Sequence, residues 1–395
     1  MRMLLICFCL GALLWQTSQH MPPNLLMLIG FMTLMGLTLT RLFRRLGLPG
    51  FSGALTAGLI LGLLNIISPA SLKQTHHVYD FAIAWSGLYL SAGLTPKILT
   101  NTRLYKGVIC LYVPPVLLTL SFFLYQATPL SIAIPLSFLA GTSLLLFLPP
   151  NLKMSGEIIP LCKMTTLLGV FFWMIFSLDI PSLFGNLSLF NILMDVILLA
   201  VLLESTVRVC RLINTTIAHH TVLIVLAYLL ALTCYTRDIS PFFLAFPSGV
   251  FLSFRNVHRP LLNTPSLSDA ILSFALIFFA LEIFQASSNP LDFAPLAQLS
   301  FYLFILLVSK TMGGLLAQHF FDISPKAWLP LIPQGFVVLL CLHTIPSPIF
   351  SPTGTLHVTV LIAFMFITLI YPICKMIWSK IKKDPLANYR PKRVF

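Results

Sequence analysis

The chain has 395 residues, of which 58% are hydrophobic and only 9% are charged. Soluble globular proteins carry about 25% charged residues, so this composition excludes a water-exposed fold of this length and indicates a lipid-facing surface. The net charge of +13 does not indicate a nucleic-acid partner. The basic residues lie between apolar runs, where they set the orientation of a membrane protein.

Apolar runs separated by short loops predict an all-α membrane protein with about 13 to 14 transmembrane helices. The first run, within residues 1–20, is short and lacks a small-residue cleavage site, so we predict a short uncleaved helix, with a signal-like segment as the alternative. The predicted spans are 3–15, 24–40, 50–67, 78–94, 107–126, 131–148, 160–179, 191–207, 220–235, 241–254, 268–285, 295–317, 327–343 and 356–378.

The distribution of basic residues supports this set of spans and gives their orientation. With the N-terminus inside, all Lys and Arg residues fall on the inner side except Lys73, Arg237 and the mid-span Lys310, as the positive-inside rule requires. We therefore predict one transmembrane domain, residues 21–380, with short loops. A basic tail over 381–395 is predicted to lie in the cytoplasm along an anionic membrane surface.

Two pairs of helices with similar composition, seven spans apart, suggest an inverted repeat. In the first pair, small residues follow Pro49 and again Pro241, at Gly53, Ala57, Gly58 and Gly62 and at Ala245, Ser248, Gly249 and Ser253. In the second pair, 131–148 contains Gly141-Thr142-Ser143 and 327–343 contains Pro330, Pro333, Gln334 and Gly335. Paired interrupted helices are typical of a transporter's midplane site. Coincidental small residues and ordinary kinks remain the alternatives.

Several motifs resemble one family when taken in order along the chain. They are RRLGLPGFSG at 44–53 followed by AGLILG at 57–62, LYLSAGL at 88–94, ISP at 239–241, VSKTMGG at 308–314 and PQG at 333–335. Together they resemble the monovalent cation:proton antiporter-2 family, which includes potassium-efflux and sodium/proton exchangers.

The resemblance implies a fold, a substrate and an assembly. The fold is the inverted-repeat sodium/proton antiporter fold with two crossed discontinuous helices, its repeats covering roughly 24–179 and 220–378. A core domain moves against a dimerising scaffold. The expected substrates are a monovalent cation, Na⁺ or K⁺, and H⁺. We expect a homodimer in a bacterial inner membrane, with no cofactor and no bound metal.

The chain departs from the family where the ion should bind. The family places one or two acids in the middle of the helix predicted at 160–179, and here that place is taken by Phe171 and Phe172. Phenylalanine neither titrates nor coordinates sodium, so the family mechanism does not transfer residue by residue. Lys310 matches the family's membrane lysine. It could carry the proton, offer fixed positive charge to an anion, or pair with a carbonyl at a helix break.

Other residues complete the candidate ion pathway. Glu282 is the substitute carboxylate we consider, with a position at the membrane interface as its alternative. The polar residues at or near the interrupted helices are Thr142, Ser143, Thr165, Thr166 and Gln334.

Two further interpretations compete with cation/proton exchange. The chain could be a transporter-fold protein without ion exchange, acting as a sensor, a partner subunit or a carrier of another solute. A membrane-embedded enzyme is not expected. Such enzymes usually need clustered His, Asp or Arg, and no acid cluster accompanies His76-His77 or His219-His220 at close sequence range.

Overall fold

A computed structural model describes residues 25–46, 50–64, 67–91, 102–125, 130–142, 158–177, 189–213, 215–235, 240–257, 265–286 and 296–321. Within these residues the regular structure is helical. The helices are α1 (Leu25–Arg45), α2 (Gly50–Leu63), α3 (Pro69–Gln74), α4 (His76–Ser91), α5 (Thr102–Tyr125), α6 (Leu130–Ala140), α7 (Ile158–Ser177), α8 (Leu189–Leu212), α9 (Thr216–Tyr235), α10 (Pro241–Phe254), α11 (Pro265–Ala286) and α12 (Leu296–Phe321).

Apart from the short α3, each described helix overlaps one of the predicted spans from the second to the twelfth. Stretches of α1, α5, α9 and α12 are long and apolar enough to cross a membrane by themselves. The predicted spans 3–15, 327–343 and 356–378 and the tail 381–395 lie outside the described residues. The structure therefore does not test the interruption predicted around Gln334.

The described helices form two bundles. The large bundle consists of α1, α2, α4, α8, α9, α10 and α11, and the small bundle consists of α5, α6, α7 and α12. The bundles meet through aromatic rings: Trp173 of α7 stacks on Phe243 of α10 with centroids 4.9 Å apart, and contacts Phe242 edge-on. One apolar cluster of buried residues runs through both bundles.

Helix packing repeats with the seven-span offset found in the sequence. That offset relates α1 to α9, α2 to α10, α4 to α11 and α5 to α12. The contact of α4 with α10 matches that of α2 with α11, and the contact of α1 with α2 matches that of α9 with α10. The contact of α1 with α11 likewise matches that of α9 with α4, and α5 packs on its own counterpart, α12. This pattern is what an inverted repeat produces.

Two short helices show why the sequence specifies this packing. Both α2 and α10 have 14 residues, which gives a length of about 21 Å, and in each the small residues named above are buried. Small residues let membrane helix backbones approach closely, and such contacts drive association in lipid. Each of the two helices thus packs through the same type of surface, α2 on α1 and α11 and α10 on α9 and α4.

Buried hydroxyl groups are accommodated by bonds within their own helices. Thr38, Ser86 and Ser137, for example, donate to the carbonyl four residues earlier at 2.6–2.8 Å. An unsatisfied polar group in hydrocarbon costs several kcal/mol, so these bonds allow polar residues to face neighbouring helices. Other buried hydroxyl groups connect two helices, as where Trp85 of α4 donates to the Ser268 hydroxyl of α11 at 3.2 Å.

Candidate functional site

The buried lysine of α12 contacts the interrupted end of α6. Lys310 is 5% exposed, and its Nζ donates to the carbonyl oxygen of Thr142 at 2.6 Å. Thr142 is fully buried and follows the end of α6 at Ala140. The last carbonyls of a helix have no donor in the following turn, and their partial negative charge favours a cation. The ammonium group therefore lies where the broken helix provides a partner.

Tyr112 of α5 holds the preceding part of the same helix end. Its hydroxyl donates to the carbonyl oxygen of Phe138 at 2.9 Å, and its ring covers Gly141, where any Cβ would overlap the ring. On the other side, Gly169 of α7 lies so close to Thr142 that a Cβ would overlap the threonine methyl group. The end of α6 is thus enclosed by α5, α7 and α12.

Removing the tyrosine hydroxyl should weaken this arrangement. We expect Tyr112→Phe to lower the free energy of unfolding by about 1–3 kcal/mol, because the Phe138 carbonyl loses a buried donor. Thermal unfolding in detergent would measure the loss. Tyr228→Phe provides the control, because the Tyr228 side chain on α9 is largely exposed. Equal midpoints for the two variants would contradict a role for the Tyr112 hydroxyl.

An aromatic stack occupies the place where the resemblance implies a carboxylate. Phe172 stacks on Phe138 with centroids 4.9 Å apart and lies near-parallel to Tyr112 at 6.5 Å. Phe171 is 53% exposed and contacts the outer edge of the stack through Phe172, with centroids 5.7 Å apart. Thr165 and Thr166 are buried on the same helix, α7. The structure therefore brings Phe172, but not Phe171, to the helix end that Lys310 contacts.

The four helices of the small bundle contain no aspartate or glutamate. The acids whose side chains are described belong to the large bundle. In particular, Glu204 pairs with Arg255 and Arg208 at 3.3 and 3.8 Å, and Asp269 pairs with Arg44 at 3.0 Å. Near the end of α6, Lys310 supplies a positive charge. Within the described small bundle, a cation bound there would have only uncharged oxygen atoms as ligands.

Glu282 lies among the helices of the large bundle, at a second polar cluster. His76 Nδ1 is 3.3 Å from Asp80 Oδ2, and both Asp80 and Glu282 interact electrostatically with His76. One acid, Asp80, therefore accompanies His76 at close sequence range, and a second, Glu282, acts on it from a distant part of the chain. Asp80 lies one helical turn from His76, at i+4. Glu282 lies on α11, far from His76 in the sequence, so its interaction with His76 could not be read locally. Within the described residues, no group of three or more His, Cys, Asp or Glu side chains is arranged to hold a metal ion.

Of the remaining candidates, Ser143 and Gln334 lie outside the described residues. Sequence reasoning missed Tyr112. It also missed the tandem Pro114-Pro115, which lies inside the continuous helix α5 and removes two backbone N–H donors from it.

Structural comparison identifies the fold. The sodium proton antiporter MjNhaP1 from Methanocaldococcus jannaschii, determined at pH 8, matches with a TM-score of 0.62 and 16% identity, over 92% of this chain and 99% of the antiporter. A map of the same antiporter from electron microscopy matches with a TM-score of 0.65 and 16% identity, over 94% and 100% of the two chains. A comparison with protein-family models finds no match, and neither does one with curated proteins.

These matches confirm the fold prediction: the chain is a multi-pass membrane protein with the fold of a sodium/proton antiporter. The structural neighbours are transporters rather than enzymes.

Proposed function

We propose that the chain is a secondary transporter that exchanges a monovalent cation, Na⁺ or K⁺, for a proton, and that Lys310 carries the proton. It would be a divergent member of the antiporter-2 type in which the lysine replaces the missing carboxylates as the titrating group. The observation that carries the proposal is the Lys310 ammonium, buried on the Thr142 carbonyl at the end of an interrupted helix.

The position of Lys310 suits a group that gains and loses a proton. A charged side chain at membrane depth is costly, and such groups mark ion or proton paths. The Thr142 carbonyl offsets part of this cost while the amine is protonated. Loss of the proton removes the free-energy cost of the buried charge and weakens the hydrogen bond to the Thr142 carbonyl. The protonation of Lys310 is therefore coupled to the conformation of the end of α6.

The two-bundle architecture supports a cycle of alternating access. The small bundle holds Lys310 and the end of α6, and it meets the large bundle through aromatic contacts that include Trp173 stacked on Phe243. We propose that the small bundle moves against the large bundle, and that the large bundle forms a homodimer in the inner membrane with the C-terminus in the cytoplasm.

Reconstitution into vesicles tests the exchange directly. Purified protein in liposomes with a trapped pH-sensitive dye should move protons when a Na⁺, K⁺ or Li⁺ gradient is imposed, at several pH values. Empty liposomes are the control. Proton movement independent of all three cations at every pH would contradict the proposal.

The positive charge of the site favours a second candidate, a carrier of another solute. With Lys310 protonated and no acid in the small-bundle helices, an anion would be attracted to the end of α6 and would cross together with the proton. The same vesicles distinguish the candidates, because anion gradients would then drive proton movement and cation gradients would not.

A further inference from the structure

Two acids occupy the same place in the two repeats. Asp80 is the fifth residue of α4, and Asp269 is the fifth residue of α11. The seven-span offset relates these helices, and it also relates the contact of α11 with α1 to that of α4 with α9. In the first of these contacts, Asp269 pairs with Arg44, near the end of α1, at 3.0 Å. The repeat therefore predicts a cation for Asp80 near the end of α9.

The helix α9 contains no lysine or arginine that could be this cation. Arg44 is the second-last residue of α1, whereas the second-last residue of α9 is the buried Cys234. Asp80 instead contacts His76, whose Nδ1 is 3.3 Å from the carboxylate Oδ2. The charge of a histidine depends on pH, whereas an arginine is always charged. Among the described residues, Asp80 thus has no permanent cation comparable to the one beside Asp269.

A pocket lies beside Asp80, between α4 and α9. Its volume is about 250 Å³, and the described residues that line it are His77, Asp80, Tyr228, Ala231, Leu232 and Tyr235. Asp80 is only 7% exposed, and a buried carboxylate is costly unless a positive charge balances it. The pocket therefore gives a bound cation access to a carboxylate that the helices largely enclose.

The walls of the pocket are rich in aromatic rings. The rings of His77 and Tyr235 have centroids 4.8 Å apart and meet at 70°, and Tyr228 lies on the same face of α9, two turns before Tyr235. Aromatic rings attract cations, and cages of such rings recognise alkylammonium groups. In the described part of the chain, no group of three or more His, Cys, Asp or Glu side chains is arranged for a metal ion. The lining therefore suits an organic cation.

We propose that this pocket binds an alkylammonium group, with the Asp80 carboxylate as its counter-ion and the rings of His77, Tyr228 and Tyr235 as its walls. The ammonium takes the part that Arg44 has beside Asp269 in the other repeat.

In the orientation predicted from the basic residues, the pocket lies at the outer end of the large bundle, where α9 ends and α4 begins. A soluble amine and the ethanolamine headgroup of a lipid both supply this chemistry. Lys310 belongs to the small bundle, so binding at Asp80 does not depend on cation/proton exchange.

Binding of choline to the full chain in a nonionic detergent tests the site by isothermal calorimetry. The wild type should bind choline and ethanolamine, but not the uncharged analogue of choline in which carbon replaces nitrogen. Asp80→Asn should raise the Kd of choline by about tenfold or more, because the charged partner is lost. Tyr235→Leu should raise it by roughly threefold to tenfold, because one aromatic wall is removed. Tyr105→Leu, at an exposed tyrosine of α5, is the matched control and should bind choline as the wild type does.

A cation supplied by the chain itself tests the comparison between the repeats. Leu232→Lys introduces an ammonium on the α9 wall of the pocket. This variant should lose choline binding, and its thermal midpoint should not fall, because Asp80 gains the kind of partner that Asp269 already has. Choline binding by Leu232→Lys equal to that of the wild type would contradict the pocket as the binding site.

Two further measurements identify the source of the ammonium and the outcomes that overturn the site. If added phosphatidylethanolamine raises the apparent Kd of choline and phosphatidylglycerol does not, the lipid headgroup is the ligand; if neither lipid changes it, a soluble amine is. If Asp80→Asn does not fold, Tyr235→Leu carries the test, because Tyr235 is 56% exposed.

Arg237 follows α9 in the sequence and lies outside the described residues. Choline binding that appears only in Arg237→Ala would assign the pocket to this arginine and overturn the site. Absence of choline binding in both the wild type and Arg237→Ala, or an unchanged Kd in folded Asp80→Asn, would overturn it as well.

Discussion

Lys310→Arg is expected to reduce cation-dependent proton movement in proteoliposomes to the level of empty vesicles, although the positive charge is kept. Arginine remains protonated at all accessible pH values. Its guanidinium can still donate to the Thr142 carbonyl, which Lys310 holds at 2.6 Å, so the helix end should stay in place. The variant thus separates the ability to release a proton from the presence of charge.

Lys310→Met provides the complementary change, because it keeps an unbranched side chain and removes the charge. We expect exchange to be lost here as well. We also expect the free energy of unfolding to fall by about 1.5–3 kcal/mol, the contribution of a hydrogen bond to a charged group. Lys106→Ala on the exposed start of α5 is the control and should transport normally. Transport rates and thermal midpoints, measured on the same preparations, give both quantities.

Each alternative outcome has a defined meaning. If Lys310→Arg keeps cation-dependent proton movement while Lys310→Met loses it, the lysine acts as fixed charge, and another group carries the proton. If both variants transport normally, Lys310 only anchors the end of α6, and proton transfer must be assigned to another group.

The sequence predicted the helices and their repeat because lipid imposes simple rules. A span needs a long apolar run, and positive charge stays inside, so the described spans follow from local composition. The small residues of α2 and α10, including Gly58 and Gly249, predicted close packing, and the structure buries all of them.

The candidate site was predictable only in part. The polar Gly141-Thr142 at the end of α6 and the charged Lys310 within an apolar run could be read locally, because a charge is unusual within a span. The role of Tyr112 could not, because its hydroxyl bonds Phe138 26 residues away. The electrostatic interaction of Glu282 with His76 was missed for the same reason, since the two residues lie on different helices. Contacts between distant segments depend on how the bundles pack, and this packing cannot be read from the local patterns of a single sequence.

Gly58→Val and Gly249→Val are expected to prevent normal assembly of the large bundle, whereas Gly30→Val should not. A Cβ on Gly58 would lie 2.6 Å from Ala280 Cβ and 2.7 Å from the Ile277 oxygen, and one on Gly249 would overlap Ser91 Oγ and lie 2.8 Å from the Leu88 oxygen. Backbone atoms cannot turn away as a flexible side chain can. Around Gly30 no atom lies within 4 Å of such a Cβ, so valine there meets open space.

We expect a large loss of stability, because the added side chains clash at contacts between helices and lipid cannot replace these contacts. Overpacking costs about 1–3 kcal/mol in soluble cores and more where backbones must separate. The yield of monodisperse protein in detergent and its thermal midpoint would measure the effect. Similar losses for all three glycine variants would contradict the close contacts at Gly58 and Gly249 as the cause, because valine has a higher intrinsic helix propensity than glycine.

The comparison between Gly58 and Gly249 also tests the repeat. The first lies where α2 meets α11 and the second where α10 meets α4, and the seven-span offset exchanges these two contacts. If the two repeats contribute equally to stability, Gly58→Val and Gly249→Val should lower the thermal midpoint by similar amounts. If only one of the two substitutions lowers the thermal midpoint, the repeats share their packing but not their contribution to stability. The contact at that position, α2 on α11 or α10 on α4, would then be the one that stabilises the large bundle.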